Sequence, residues 1–279
     1  MQIKLTTLSE NTAGRVGPLA EWGLSILAEV DNYKVLLDTG LGVSAAHNAA
    51  FLGIDLSKID KIVISHGHRD HTGGLLDVLT AARKEIEVVA HPGIWASKYS
   101  RTFGDQEEYA GIPFAQEALE SLGASFRHTT EPYWLTDNIL TTGEIPMHTE
   151  YEQIDANLYV RENGELRPDP LRDDLALIIK SDIGLIVILG CGHRGIINTL
   201  HHAQEITGEQ RIHTVVGGTH LIRASREQID LTVAELKELG VQRLGVSHCT
   251  GLPAASILFQ EFGDRFFFNN AGRRITVLE

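Results

Sequence analysis

The chain has 279 residues, 43% hydrophobic and 22% charged, which is the composition of a soluble globular protein with enough apolar sequence for a large core. Its 24 Lys and Arg stand against 37 Asp and Glu, and the net charge of -13 argues against nucleic acid as the main partner, because phosphate binding rests on basic side chains. Two cysteines exclude a disulfide framework, so the 13 histidines are the unusual count, and their placement carries the argument.

In chain order, Ile3 to Leu5, Leu24 to Val30 and Tyr33 to Leu37 are short β-favouring runs, the last two joined by an Asp31-Asn32 turn. Helices and strands then alternate. Helices are predicted over Val43 to Leu52, Gly74 to Arg83 and Phe114 to Leu122, and strands over Lys61 to Ser65 and Glu87 to Ala90. In the second half, Ile183 to Leu189, His213 to Val216 and Arg243 to Val246 read as strands. Ile196 to Ile206 and Pro253 to Phe262 read as helices, and Ser225-Arg226-Glu227-Gln228 is a capping box opening another that closes at Gly240. Meander strands followed by β-α alternation in both halves imply two mixed sheets packed together with helices outside, in one domain over residues 1–279. Lys98 to Pro113 and Glu162 to Asp174 fit no element and are expected to be lids or substrate-binding loops. The start lacks an apolar signal region, and the longest apolar stretch, Ile183 to Cys191, is far short of the ~20 residues that span a bilayer. A cytoplasmic protein without a membrane partner is expected; oligomeric state is not legible.

The predicted strands end alike. Val35-Leu36-Leu37 runs into Asp38, Ile62-Val63-Ile64-Ser65 into His66, and Val88-Val89-Ala90 into His91. Ile186 to Gly190 runs into Cys191-Gly192-His193, Thr214 to Thr219 into His220, and Leu244 to Ser247 into His248-Cys249. Sites in α/β architectures lie at the carboxyl ends of strands, so these side chains are expected to converge. The strongest signal is His66-x-His68-x-Asp70-His71: four potential ligands in a strand-to-helix loop can wrap one divalent ion or two adjacent ones. Imidazole with carboxylate suits Zn first, with Mn, Fe, Ni or Mg as alternatives.

The motif resembles the HxHxDH signature of the metallo-β-lactamase superfamily. Gly23-Leu24-Ser25 through Asp38-Thr39-Gly40, Gly143-Glu144-Ile145-Pro146, Gly190 to Ile196, Gly217 to Leu221 and His248 to Gly251 are similar to the branch that contains the dihydropterin-aminobenzene ribofuranosyl-phosphate synthase and related metal-dependent hydrolases. The resemblance spans nearly the whole chain and implies an αββα sandwich with a one- or two-metal site at its edge. By the same resemblance, His66 and His68 hold the first metal, Asp70, His71 and His248 the second, and His193 is the best remaining ligand. Where much of the superfamily has a bridging Asp, this chain has Gly190-Cys191, so either Cys191 or His193 takes that place. Members with di-iron chemistry usually carry Glu where His68 stands. The acidic pair Asp173-Asp174 also matches the branch.

Other residues are read from their positions. Asp38 is expected behind the ligands, orienting a histidine. His220 is a candidate acid, hydrogen-bond donor or ligand, and His91 a pocket candidate. Arg194 and Arg223 closely follow site histidines and could bind phosphate. His148 could fill a ligand position, while His201, His202 and His213 lie outside. The first expectation is hydrolysis of a small, phosphorylated substrate by a metal-activated water, with Asp70 orienting the water and His220 protonating the leaving group. The branch offers an alternative, a transferase condensing a dihydropterin diphosphate with an aminobenzene ribofuranosyl phosphate. A metal-stabilised binding module without turnover is the third reading.

Overall fold

A computed structural model describes residues 1–101 and 106–278. Two sheets carry the fold. The first runs in the order Arg274–Leu278, Ile3–Ser9, Ser25–Val30, Tyr33–Leu37, Lys61–Val63, Ile86–Ala90, Ala124–His128. The second runs Arg243–Ser247, Ile212–Gly218, Gly184–Leu189, Ala176–Ser181, Ile139–Thr141, Tyr133–Thr136. The alternation of side chains along each strand builds the layers. Ile26, Ala28, Val35 and Leu37 of the first sheet face Ile179, Ile186 and Ile188 of the second in a shared core. Leu27 and Leu36 point the other way, under the helices Ser44–Phe51 and Leu75–Ala82. Leu185, Val187 and Leu189 likewise face the helices Ile196–Thr207, Arg226–Glu238 and Leu252–Phe262. Strands covered on both faces are continuously apolar, and each Leu or Ile so buried contributes roughly 1.5–3 kcal/mol. The result is the expected αββα sandwich.

The capping box forms, with the Ser225 hydroxyl accepting from the Gln228 amide at 3.1 Å. Two expectations need correction. The helix expected over Phe114 to Leu122 is only Gln116–Glu120, followed directly by an unforeseen strand, Ala124–His128. The two polar segments expected as loops join a third sheet, ordered Glu165–Pro168, Leu158–Glu162, Lys98–Ser100, Glu108–Tyr109, although residues 102–105 of the first segment lie outside the described residues. Apart from Leu158–Glu162, these strands are poor in apolar residues, and the sheet gains its order from pairing and from the buried Lys98 ammonium, which holds Asp169 at 2.8 Å and Asp173 at 2.9 Å. Sequence periodicity cannot register such pairing.

Strands Tyr33–Leu37, Lys61–Val63 and Ile86–Ala90 are parallel, as are Gly184–Leu189, Ile212–Gly218 and Arg243–Ser247. Their carboxyl ends from both sheets meet at one edge. There Asp38, His220 and His248 adopt left-handed backbone, with φ of 58°, 47° and 54°. Each costs about 1–2 kcal/mol in a residue with a Cβ. Such strain is tolerated where the surroundings fix the residue, and it clusters at functional sites.

Candidate metal centre

The centre is assembled around a buried carboxylate. Asp38 Oδ1 accepts the Ser65 amide at 2.7 Å, and Oδ2 accepts the Ser65 hydroxyl and His71 Nδ1, both at 2.6 Å. With its proton committed to Asp38, the Ser65 hydroxyl accepts from His66 Nδ1 at 2.9 Å. This pattern holds a proton on Nδ1 of both rings and turns the Nε2 atoms of His66 and His71 inward. Gly190 makes the arrangement possible: a Cβ there would sit 2.0 Å from the Ser65 hydroxyl. His248 follows the same logic, with Nδ1 bonded to Asn11 Oδ1 at 2.9 Å.

Among the described residues the donors form overlapping groups, two of which share no residue. His66 Nε2 lies 2.9 Å from His68 Nδ1 and 3.2 Å from His193 Nε2. His71 Nε2 lies 3.2 Å from His248 Nε2 and 3.1 Å from Cys191 Sγ, while Asp70 Oδ2 is 3.3 Å from His248 Nε2. The donor atoms of His66, His68 and His193, and those of Asp70, His71 and His248, each fall within 4.8 Å of one another. His71 and His248 turn their Nε2 atoms toward each other at 3.2 Å in a buried setting, where a cation between them could take both as donors. The donor chemistry therefore fits a divalent metal, and imidazole, thiol and carboxylate together fit zinc.

The two groups differ electrostatically. Burial pushes His66 well below the usual imidazole range, aided by the His71 charge, and burial does the same to His193 beside His220. Burial and the Lys98 ammonium bring His68 down to about 3. In the second group burial opposes charge, yet the Asp38 and Asp70 carboxylates raise His71 to about 9. Asp70 is held below the carboxylate range despite its burial, chiefly by His71 and His248. Burial pushes the Cys191 thiol up, which a bound cation would counter.

Neighbouring residues hold the loops in place. The Gly67 amide, between His66 and His68, donates to Asp173 Oδ2 at 2.8 Å, and the Arg194 amide donates to Asp174 Oδ2 at 2.9 Å. Burial, with Asp173 beside it, raises Asp174 to about 7. The His220 ring packs against His193 at a tilt of 46° with ring centroids 4.1 Å apart, and its Nε2 lies 3.6 Å from Asp155. Three candidates lie elsewhere. His91 bonds Glu144 at 3.1 Å and caps the turn at Gly93, outside the cavity wall. Arg194 spends its guanidinium on the carbonyls of Ile145 and Pro170, which corrects the expectation of a phosphate ligand. His148 is exposed, and its amide caps Asn198.

A cavity of about 510 Å³ opens beside both donor groups, walled by Trp22, Leu41, Leu158 and Ile222, with Arg69 and Arg223 among its lining and Ser100, Glu108 and Ala110 of the third sheet across it. The Trp22 indole donates to Asp70 Oδ2 at 3.1 Å. Trp22, Asn11 and Asp155 carried no sequence signal, since none belongs to a motif or a predicted strand end. Ser65 could have been found from its place before His66.

The metallo-beta-lactamase superfamily profile matches residues 23–268. The chain is 35% identical to the 7,8-dihydropterin-6-methyl-4-(beta-D-ribofuranosyl)-aminobenzene-5'-phosphate synthase of Methanocaldococcus jannaschii, covering 98% of this chain and 96% of that one. It is 30% identical to an uncharacterised protein of the same organism, covering 97% and 98%. A crystal structure of a metal-dependent hydrolase of the beta-lactamase superfamily superposes with a TM-score of 0.85 at 32% identity, covering 98% of each chain. From its fold, its matched residues and these relatives, the chain belongs to the metallo-beta-lactamase superfamily.

Proposed function

We propose that the chain is a metal-dependent transferase that joins a dihydropterin methylene to the amine of a ribofuranosyl-aminobenzene 5'-phosphate. The observation that carries this reading is the cavity. Its carbon-rich walls, Trp22, Leu41, Leu158 and Ile222, suit flat ring systems, and Arg69 and Arg223, which lie 3.8 Å from Glu108 and 3.3 Å from Asp155, suit phosphate groups that displace those carboxylates. Full-length similarity to a synthase supports the same reading. The C–N bond forms as the C–O bond to diphosphate breaks. Diphosphate departs with the electron pair, and the arylamine proton passes to water.

His66, His68 and His193 would hold one zinc ion, and Asp70, His71, Cys191 and His248 a second; bound there, the metal supplies positive charge for the leaving diphosphate. Trp22 keeps Asp70 oriented through its indole N–H. His220, raised to about 10 by the Asp155 carboxylate against the effect of burial, donates a proton or hydrogen bond to a phosphate oxygen. The apolar walls limit water, the competing nucleophile. All of this machinery sits within a single proposed domain over 1–279. Hydrolysis of a phosphorylated small molecule is the second reading, favoured by the likeness to the metal-dependent hydrolase.

The test supplies zinc-loaded protein with a dihydropterin methyl diphosphate, with and without the ribofuranosyl-aminobenzene phosphate. Diphosphate release that requires the arylamine, with the coupled product seen by mass spectrometry, is the expected result. Release at the same rate without the amine would overturn transfer in favour of hydrolysis, and no release under either condition would overturn both.

A further inference from the structure

A second cavity, also of about 510 Å³, lies between the Gly14-Arg15 loop and the segment Phe266 to Arg273. It shares no lining residue with the cavity at the metal centre. Its aromatic wall is Phe266, Phe267 and Phe268, and its polar groups are Arg15, Asn270 and Arg273. The frame is fixed by backbone bonds: the Ala271 amide donates to Thr12 O and the Gly272 amide to Thr7 O, both at 2.9 Å, and Thr7 N donates to Arg273 O at 2.9 Å. The Arg273 guanidinium lies 5.2 Å from the Phe267 ring centroid, and Arg243 lies 5.3 Å from the same ring.

The charge here is out of keeping with the molecule. The chain carries -13 overall, and arginine ion pairs are common elsewhere on it. Among the described residues, however, no carboxylate lies within 4.0 Å of Arg15, Arg243 or Arg273; Arg15 and Arg273 line the cavity, and Arg243 and Arg273 lie against the Phe267 ring. A guanidinium laid against a ring is oriented by it while its N–H fork stays free, which is the arrangement that receives an oxyanion through two parallel hydrogen bonds. Phe266 and Phe267 are buried in the core, and Phe268, 41% exposed, offers stacking area to a flat group attached to that anion. An apolar ligand would leave the cations unsatisfied, and a bare anion would leave the exposed Phe268 ring unused.

We propose that this cavity is a second ligand site, distinct from the metal centre, for an aryl or heteroaryl phosphate monoester. The phosphate meets Arg15 and Arg273, Asn270 bonds the ring or its linker, and the ring lies against the exposed Phe268.

The test is calorimetric titration of the zinc-loaded protein with phenyl phosphate, and separately with inorganic phosphate. Wild type is expected to show a binding event that the double variant Arg15→Gln/Arg273→Gln weakens at least about 10-fold, with zinc content and circular dichroism unchanged. Arg273→Lys, which keeps the charge and loses the fork, is expected to fall between them. These readouts need no turnover, so they stand apart from the transferase proposal. An isotherm in the double variant identical to wild type would overturn the site, as would inorganic phosphate binding there as tightly as phenyl phosphate.

Discussion

The two donor groups share one cavity floor and differ in what they offer a cation. His66, His68 and His193 present neutral imidazoles, kept neutral by burial. Asp70, His71 and His248 add a carboxylate, with the Cys191 thiol 3.1 Å from His71 Nε2, and here the carboxylates outweigh burial and favour a charged His71. The difference follows from which strand ends supply the ligands. It teaches that one motif, His66 to His71, feeds two sites of unlike charge, because Asp38 fixes the outer nitrogen of one ring in each group, His71 directly and His66 through Ser65.

The largest break in that comparison should come from Asp38→Ala. It strands the Ser65 and His71 donors in a buried setting, so it should cost about 3–5 kcal/mol of stability and lower metal content in both groups. Thermal unfolding and metal analysis read the two effects, and a variant that lost only one metal would show that the groups are oriented independently.

The pH dependence of chelator-treated protein separates the groups next. His68, at about 3 when folded, stays neutral while the unfolded chain takes up its proton, so its contribution is present above the ordinary imidazole value and lost as pH falls toward 3. His71, at about 9, contributes fully below the ordinary value, and that contribution is lost as pH rises through 9. Midpoints measured from about pH 4 to about pH 10 should fall at both ends. His68→Gln should soften the acid limb and His71→Gln the alkaline one; exchanged effects would contradict the assignment.

Smaller effects sharpen the picture. Gly190→Ala pushes a methyl against the Ser65 hydroxyl and should cost about 1–3 kcal/mol, seen as a lowered unfolding midpoint. Arg194→Gln loses the bonds to the Ile145 and Pro170 carbonyls and should cost about 1 kcal/mol, leaving zinc content and phosphate affinity as in wild type.

Much of this was legible in the sequence because apolar strands ending on His, Asp or Cys mark both the sheet and the site edge. Ile62 to His66 announces a strand, its end and a ligand in five residues. What stayed hidden depends on distant partners. Leu158–Glu162 and Lys98–Ser100 are strands because they pair with each other, and Lys98 is buried because Asp169 and Asp173 meet it across 71 and 75 residues. Asn11 and Trp22 reach the site from a loop with no periodic pattern, so only the fold discloses that they hold His248 and Asp70. The histidine excess was readable as a candidate metal centre, but its division into groups required the ring orientations that Asp38 imposes.

The central claim, two unlike donor groups at one cavity floor, is tested most directly by titrating zinc into metal-stripped wild type, His68→Ala and His248→Ala proteins and following the heat. The account predicts two distinguishable binding events in wild type, with a different one missing in each variant. A single event in wild type, abolished equally by both substitutions, would contradict it.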